Sequence, residues 1–520
     1  MKRRFTITTP IYYVNAEPHI GHTYTTIVGD TLARYHRLAG EETFFLTGTD
    51  EHGEKVAEVA AQRGLTARAF TEEISAIYRS TWEELGMSFD RFIRTTDRDH
   101  VRAVQSILQS VYDAGEIEFR EYEGLYCVGC ERFLTGRDMV DGLCRDHERP
   151  PERRAESNYF FKMSRHFDWL IEQLQQQPDL IRPERYRNEV LAMLRGDSGL
   201  EDLCISRPKS RLGWGIELPF DADYVCYVWF DALINYLSGL GYPDDPAFRE
   251  RWSGVEHLVA KDILKPHGIF WPTMLRAAGF PLFKHLSVHG YWNVDQRKVS
   301  KSLGNMISPL LMRDRYGFDS FRYFLLREMT FGLDSNFTEK ALVHRINADL
   351  ANDLGNLVSR TLNMIAKFSA GRVPEPGASG EPEAALERSA RETADAVDGF
   401  VRRVELRQAL ESIFGVVGET NRYLDARAPW KAVREADREQ EVRTTLYTCC
   451  QALRSVALLL APFTPEAART ILERLGLPDA LERARLPEDA RRWDSPPPGT
   501  PTAKGPPLFP RVEAPDLEAG

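Results

Sequence analysis

The sequence predicts an α/β protein: a parallel sheet in the first part of the chain, an insertion inside that sheet, and an all-α helical bundle after it. Three observations predict this. β-Branched runs at Phe5 to Thr9, Thr43 to Thr47, Glu256 to Ala260 and His285 to Val288 alternate with helical patterns, as a parallel sheet requires. Between about Gly115 and Tyr227 the alternation breaks at a segment with paired cysteines and many charges. From Asp319 onward strand signals stop and amphipathic patterns take over, at His344 to Phe368, Ala385 to Arg403, Leu406 to Tyr423 and Glu441 to Leu460.

Taken in order, the first strand leads to Pro18, which fits the first helical position because its missing N–H costs nothing there. The apolar-periodic stretch Ile27 to Leu38 continues that helix. His19 and His22, three apart, then share one face of the opening turn, and Gly21 removes a side chain where a nucleotide could press on the backbone. A helix N-terminus after a buried strand is an anion site. The second strand runs into Gly48-Thr49-Asp50-Glu51-His52-Gly53, which puts Asp50 where open α/β sheets hold ligands.

Inside the insertion, Cys127-Val128-Gly129-Cys130 and Cys144-Arg145-Asp146-His147 form two ligand pairs separated by a loop carrying Gly136 and Gly142. Two such turns can close a tetrahedron around Zn²⁺, and four protein ligands leave no open position, so the metal is expected to be structural. The plainer reading is reduced cysteines and a surface histidine. Cys204, Cys226, Cys449 and Cys450 lack such partners and read as small buried apolar residues. Lys298-Val299-Ser300-Lys301-Ser302, followed by Gly304 and Asn305, reads as a polar loop whose two ammonium groups can follow charge on a polyphosphate. Arg372 to Pro382 joins two bundle helices, and the eight prolines from Ser495 onward preclude a conventional domain there.

A chain of 520 residues has room for two to four domains, and 42% hydrophobic with 28% charged residues describes an ordinary globular protein. Lys2-Arg3-Arg4 is followed by threonines rather than an apolar run, and the longest aliphatic run, near Val456 to Ala461, is too short to span a bilayer. A cytoplasmic protein without a membrane segment is expected. Seven cysteines, an odd and unevenly spaced set, argue against a secreted disulfide framework. The net charge of −10 neither supports nor excludes nucleic acid, because screening confines surface fields to about 8 Å and a local basic face suffices.

The pair His19-Ile20-Gly21-His22 and Lys298-Val299-Ser300-Lys301-Ser302 resembles the two signatures of class I aminoacyl-tRNA synthetases. Thr9-Pro10-Ile11-Tyr12-Tyr13-Val14-Asn15, the Gly48 to Gly53 segment, Val228-Trp229-Phe230-Asp231-Ala232, Lys261-Asp262-Ile263-Leu264 and Ala428-Pro429-Trp430 extend the resemblance, over nearly the whole chain, to the methionyl-tRNA synthetases. It implies a Rossmann-type catalytic domain in two halves, 1–115 and 226–318, around a connective insertion at 116–225 with a zinc knuckle. A stem-contact region at 319–350, an α-helical anticodon-binding domain at 351–494 and a Pro-rich tail at 495–520 follow.

The implied reaction joins L-methionine to ATP, with Mg²⁺, to give methionyl-adenylate and pyrophosphate, then charges initiator and elongator tRNA(Met). Matched to the family, His19, His22, Lys298 and Lys301 are catalytic, and Gly21, Ser300 and Ser302 join them in binding ATP. Val299 replaces the commoner methionine without disturbing charge. Ile11, Tyr13, Asp50, Arg207, Trp229, Ala232, Leu233, Tyr236, Asp262, His267 and Trp271 stand at the amino-acid site, with Asp50 facing the substrate ammonium. Pro266 departs from the phenylalanine of many relatives. One structural zinc per chain is implied at Cys127, Cys130, Cys144 and His147. Asn356 and Arg360, four apart on one helix face, and Trp430 match anticodon-reading positions. No room is visible for a large editing insertion or for the terminal dimerisation domain of some members, so a monomer is expected. Two other classes compete: a non-catalytic tRNA-binding paralogue, which would carry a broken signature, and a nucleotidyltransferase for another small acid, which would not need Asn356, Arg360 and Trp430.

Overall fold

The computed structural model describes residues 3–128, 132–134, 138–145, 148–196, 200–294, 297–298 and 307–513. Six strands build the central sheet: β1 (Arg4–Tyr13), β2 (Glu42–Asp50), β3 (Arg91–Arg94), β4 (Ile181–Arg182), β5 (Val255–Ala260) and β6 (His285–His289), in the order β3-β2-β1-β5-β6-β4. The pairs β2–β3, β1–β5, β5–β6 and β6–β4 are parallel. Ile7, Leu46, Ile93, Val259 and Val288 are all buried, so the β-branched runs reflect a sheet covered on both faces. Gly48 is dictated by the sheet itself: a Cβ there would lie 2.0 Å from the Ile93 carbonyl oxygen.

Strand order reverses between β1 and β5, the crevice where an open α/β sheet binds ligands at its carboxyl ends. The segment read as an insertion folds mainly on the antiparallel pair Ile117–Cys127 and Glu152–Phe161. It also supplies β4, flanked by helices Phe167–Gln176 and Glu184–Arg195, so it returns to the central sheet as its edge. Two residues are too short a strand to show a period, which is why the sequence hid it.

Helix α1 spans Ile20–Leu38. It therefore starts two residues after Pro18, not on it, and His19 rather than Pro18 stands at its threshold. The chain folds as two units: one of Arg4–Gly29 and Phe44–Gly290, the other of Met1–Arg3, Asp30–Thr43 and Tyr291–Gly520. The second half of α1 belongs to the helical unit for a clear physical reason. Arg322, fully buried, donates to Asp30 Oδ2 at 2.6 Å, to Thr31 Oγ1 at 3.2 Å and to the Phe463 and Pro462 carbonyls at 3.0 Å. Tyr35 donates to Asp398 Oδ1 at 2.7 Å, and Arg402 pairs with Glu41 at 2.8 Å.

The helical unit is built from Glu339–Arg345, the wider π-type turns of Ile346–Gly355, Asn356–Phe368, Glu381–Arg402, Leu406–Arg427, Glu439–Leu460 and Pro465–Arg474. One strand lies beyond Asp319, where none was expected: Ser335–Phe337 pairs in parallel with Trp292–Val294, which pairs antiparallel with Arg297–Lys298. The Pro-rich tail forms no helix or strand among the described residues, yet it is fastened to this unit. Val373 N donates to Thr500 O at 2.9 Å, Asn347 exchanges bonds of 2.8 and 3.0 Å with Val512, and Phe509 is buried. No helix among the described residues is long and apolar enough to cross a membrane.

Candidate active site

At the carboxyl end of β1 the two signature histidines stack, ring centroids 3.8 Å apart and 23° from parallel. Their Nδ1 atoms serve the helix start. His19 Nδ1 accepts from Gly21 N at 3.1 Å, and His22 Nδ1 accepts from His19 N at 3.4 Å and lies 3.1 Å from the Tyr78 hydroxyl. Orphan N–H groups of a first turn are thus capped by imidazoles, which leaves each proton on Nε2. A Cβ on Gly21 would lie 3.0 Å from His19 Cε1 and 3.2 Å from its Nδ1, so the glycine is needed by the His19 ring itself. Burial, helped by neighbouring His19, holds His22 well below the ordinary imidazole pKa. Two neutral N–H donors at a helix N-terminus suit a phosphate.

Beside them, the ends of β1 and β2 are joined by Val14 N donating to Asp50 O at 3.2 Å, which sets Tyr13 and Asp50 next to each other. Burial, and to a smaller degree the charges of Tyr12 and Asp50, push the Tyr236 phenol up, so Asp50 faces the same space as Tyr236. Tyr236 donates to His267 Nε2 at 2.7 Å, and His267 Nδ1–H donates to the Ile263 carbonyl at 2.9 Å. Burial pushes the His267 imidazole down to about 4, so it is neutral at physiological pH. Trp271 lies 5.8 Å from the Tyr236 ring and Trp229 meets His267 edge-on at 6.4 Å, while Ala232 and Leu233 are buried and Ile11 is partly so. Ten of the predicted positions fall on strand ends and helices around the β1–β5 crevice, although Asp262 is exposed on the single turn Lys261–Ile263. Arg207 lies elsewhere in the sheet unit: buried, donating to Ser206 O at 2.7 Å, between the rings of Tyr126 (5.3 Å) and Tyr227 (4.7 Å).

A second buried network was not foreseen. Asp231, fully buried, accepts from His52 Nδ1 on one oxygen and His100 Nε2 on the other, both at 2.7 Å, and His100 Nδ1 lies 2.8 Å from Ser238 Oγ. Burial alone would raise the Asp231 pKa, but the two imidazoles outweigh it and hold the carboxyl below its usual value. This ties the loop after β2 to helix Val228–Leu233, which carries Trp229, Ala232 and Leu233. His52 and Asp231 lie in segments noted from sequence, whereas His100 and Tyr78 occur in helical periodicities that read simply as core.

In the insertion, Cys127 ends one strand and Cys144 lies in the small hairpin of Met139–Val140 and Leu143–Cys144. Both are buried in one cluster with Leu134, against which Met139 packs. In the helical unit, Arg360 lies over the Trp430 ring at 5.0 Å and pairs with Asp425 at 2.6 Å, Asn356 is exposed one turn before it, and Trp430 is half-buried. Lys298 sits in the short strand Arg297–Lys298, but its side chain, and Ser300, Lys301, Ser302, Cys130 and His147, lie outside the described residues.

The family described as "tRNA synthetases class I (M)" matches residues 5–150 and 137–362, and "Anticodon binding domain of methionyl tRNA ligase" matches 373–519. The chain belongs to the methionyl family of class I tRNA synthetases. It is 46% identical to the methionine–tRNA ligase of Deinococcus radiodurans, over 98% of this chain and 75% of that one. It is 41% identical to that of Caldanaerobacter subterraneus subsp. tengcongensis, over 99% and 80%. Its fold matches Mycobacterium tuberculosis methionyl-tRNA synthetase in complex with methionyl-adenylate with a TM-score of 0.91 at 39% identity, covering 98% of this chain and all of that one. Membership in the methionyl family accounts for the stacked histidines and the aromatic crevice on one sheet.

Proposed function

We propose that this chain is a methionine–tRNA ligase that activates L-methionine with ATP and passes it to the 3′ end of tRNA(Met), initiator and elongator alike. The observation that carries the reading is an aromatic crevice at the strand reversal, its polar hydrogens spent internally, beside two stacked neutral imidazoles at a helix N-terminus. A thioether gains from such a wall through dispersion and sulfur–aromatic contact. Asp50 receives the substrate ammonium, with the Tyr13 hydroxyl beside it.

In adenylation the methionine carboxylate attacks the α-phosphorus and pyrophosphate leaves, so most of the work is positioning and stabilisation of growing negative charge. The Nε2–H groups of His19 and His22 donate to phosphate oxygens, backed by Gly21. Lys298 and Lys301, with Ser300 and Ser302, meet charge on the leaving pyrophosphate. Mg²⁺ arrives with ATP and neutralises phosphate charge. Arg207, Asp262 and the pocket residues complete the amino-acid site. Asn356, Arg360 and Trp430 read a splayed anticodon, the aromatic face stacking on a base while the polar groups bond its edge.

A structural zinc fits the donor chemistry of the insertion: Cys127 and Cys144, two potential thiolates, are buried in one small cluster that has little other core. Cys130 and His147 would complete the set. Such an ion supplies folding energy rather than chemistry, closing a hairpin too small to bury a core of its own. The test of the function is methionine-dependent ATP–pyrophosphate exchange across all standard amino acids. Exchange is expected with methionine alone; a stronger response to any other amino acid refutes the reading.

A further inference from the structure

Behind the aromatic wall lies a histidine that the reaction does not use. His257, in β5, is fully buried. The indole nitrogen of Trp271 can only donate, and it lies 3.0 Å from His257 Nε2, so that nitrogen is an acceptor. The ring proton is therefore on Nδ1, 2.8 Å from Thr8 Oγ1 in β1. The ring also lies 4.3 Å from that of Tyr236. Burial, with His267 close by, holds the imidazole well below its usual pKa, in keeping with this neutral tautomer.

We propose that His257 is a specificity-determining positioning residue: by consuming the only N–H of Trp271 it keeps the methionine pocket free of donors and so excludes methionine sulfoxide. The proposal rests on the reading of Tyr236, His267 and Trp271 as that pocket's wall. The other two polar hydrogens of these residues are spent as well, Tyr236 O–H on His267 and His267 Nδ1–H on the Ile263 carbonyl. A thioether sulfur is a weak acceptor and loses little in such surroundings. A sulfoxide oxygen is a strong acceptor, and the same surroundings charge it the full desolvation of an unmade bond. Sulfoxide is the common oxidation product of methionine, so discrimination of this kind is called for whenever the free amino acid is oxidised. A hydrophobic pocket could not achieve it by shape alone, since sieving by size gives only modest ratios.

Removal of the Nε2 acceptor would release the indole N–H to turn toward the lumen and greet the sulfoxide oxygen. The experiment measures kcat/KM for L-methionine and L-methionine sulfoxide by ATP–pyrophosphate exchange with the full chain. His257→Leu is expected to lower the methionine-to-sulfoxide ratio about tenfold, the worth of one hydrogen bond. His257→Gln, whose carbonyl can accept from the indole, should hold the ratio within about twofold of the starting protein by the same reasoning. In the double variant His257→Leu/Trp271→Phe no N–H remains, so the ratio should recover; simple loosening of the core would not be reversed in this way. If leucine prevents folding, His257→Phe, which keeps a ring but no acceptor, replaces it. An unchanged ratio in a folded acceptor-less variant overturns the proposal, as does a lowered ratio that Trp271→Phe fails to restore. Trp271→Ala separates the two readings. If it leaves the KM for methionine unchanged, the pocket assignment itself fails; if it raises KM while the ratio stays fixed in His257→Leu, only the role of His257 fails.

Discussion

Trp430→Ala separates the two halves of the reaction. The ring is half-buried, with the Arg360 guanidinium over it at 5.0 Å, and Arg360 is fixed in turn by Asp425 at 2.6 Å. Loss of the ring removes a stacking platform worth about 1 to 3 kcal/mol per base, which converts to roughly 5- to 150-fold in kcat/KM for tRNA charging. Arg360 loses an exposed cation–π contact of about 0.5 to 1 kcal/mol but keeps its carboxylate, so the helix face survives. Full burial would make the truncation cost about 3 to 5 kcal/mol of stability; a half-buried ring should cost less than half of that. The residue lies in the helical unit, whereas His19, His22 and Asp50 lie in the sheet unit, so methionine-dependent exchange should stay within about twofold of the starting protein. The assay is parallel measurement of exchange, aminoacylation of tRNA(Met) and melting temperature. Equal losses in exchange and charging, accompanied by a lowered melting temperature, would show Trp430 to be a core residue and refute the assignment.

Lys301→Ala should nearly abolish exchange while methionine binding, followed by intrinsic fluorescence, is largely kept, because the ammonium is needed as charge develops on pyrophosphate; lost affinity with unchanged turnover would contradict this. Metal analysis of the purified chain should find about one zinc, absent from the Cys127→Ser/Cys144→Ser variant, and finding none in the unaltered protein ends the zinc proposal. Asp319 is a pH probe of the helical unit: burial raises its carboxyl to about 6, against the Ala467 N–H bond of 2.7 Å and the charge of Arg322, which lower it, while Glu466 adds to the rise. A raised carboxyl favours the folded state only while protonated, so stability falls as pH climbs from about 4 to about 6, by at most about 3 kcal/mol. Asp319→Asn should therefore match the unaltered protein below pH 4 and gain relative stability up to pH 7; a melting-temperature difference that is flat over that range rejects the buried-carboxyl account.

Elements that recur along the chain with a period were legible before any coordinates. The four long strands and the four long bundle helices come from β-branched runs and amphipathic stripes, which are local properties. Both signatures, Asp50 and the paired cysteines were legible for a related reason: each depends on residues only a few positions apart, so spacing itself encodes the geometry. Sequence also brought Asn356 and Arg360 together, since four residues make one turn.

What only the tertiary structure decided is whatever joins distant segments. β4 is two residues long and has no period, so only its pairing with β6 reveals that the insertion completes the sheet. Asp231 meets His52 and His100 across more than a hundred residues on either side, and His257 gains its tautomer from Trp271 and Thr8 on separate elements. Pro18 read as a helix start by local preference, yet α1 begins at Ile20, where imidazole nitrogens cap the first N–H groups. Gly21 and Gly48 were visible as glycines, but one is required by a neighbouring ring and the other by a carbonyl on β3. The sequence alone settled the fold class and the family signatures, because short-range period and spacing suffice for both. Which proton each buried imidazole carries, and hence what the pocket can accept, was decided by packing, because a hydrogen bond between remote segments leaves no pattern in a linear chain.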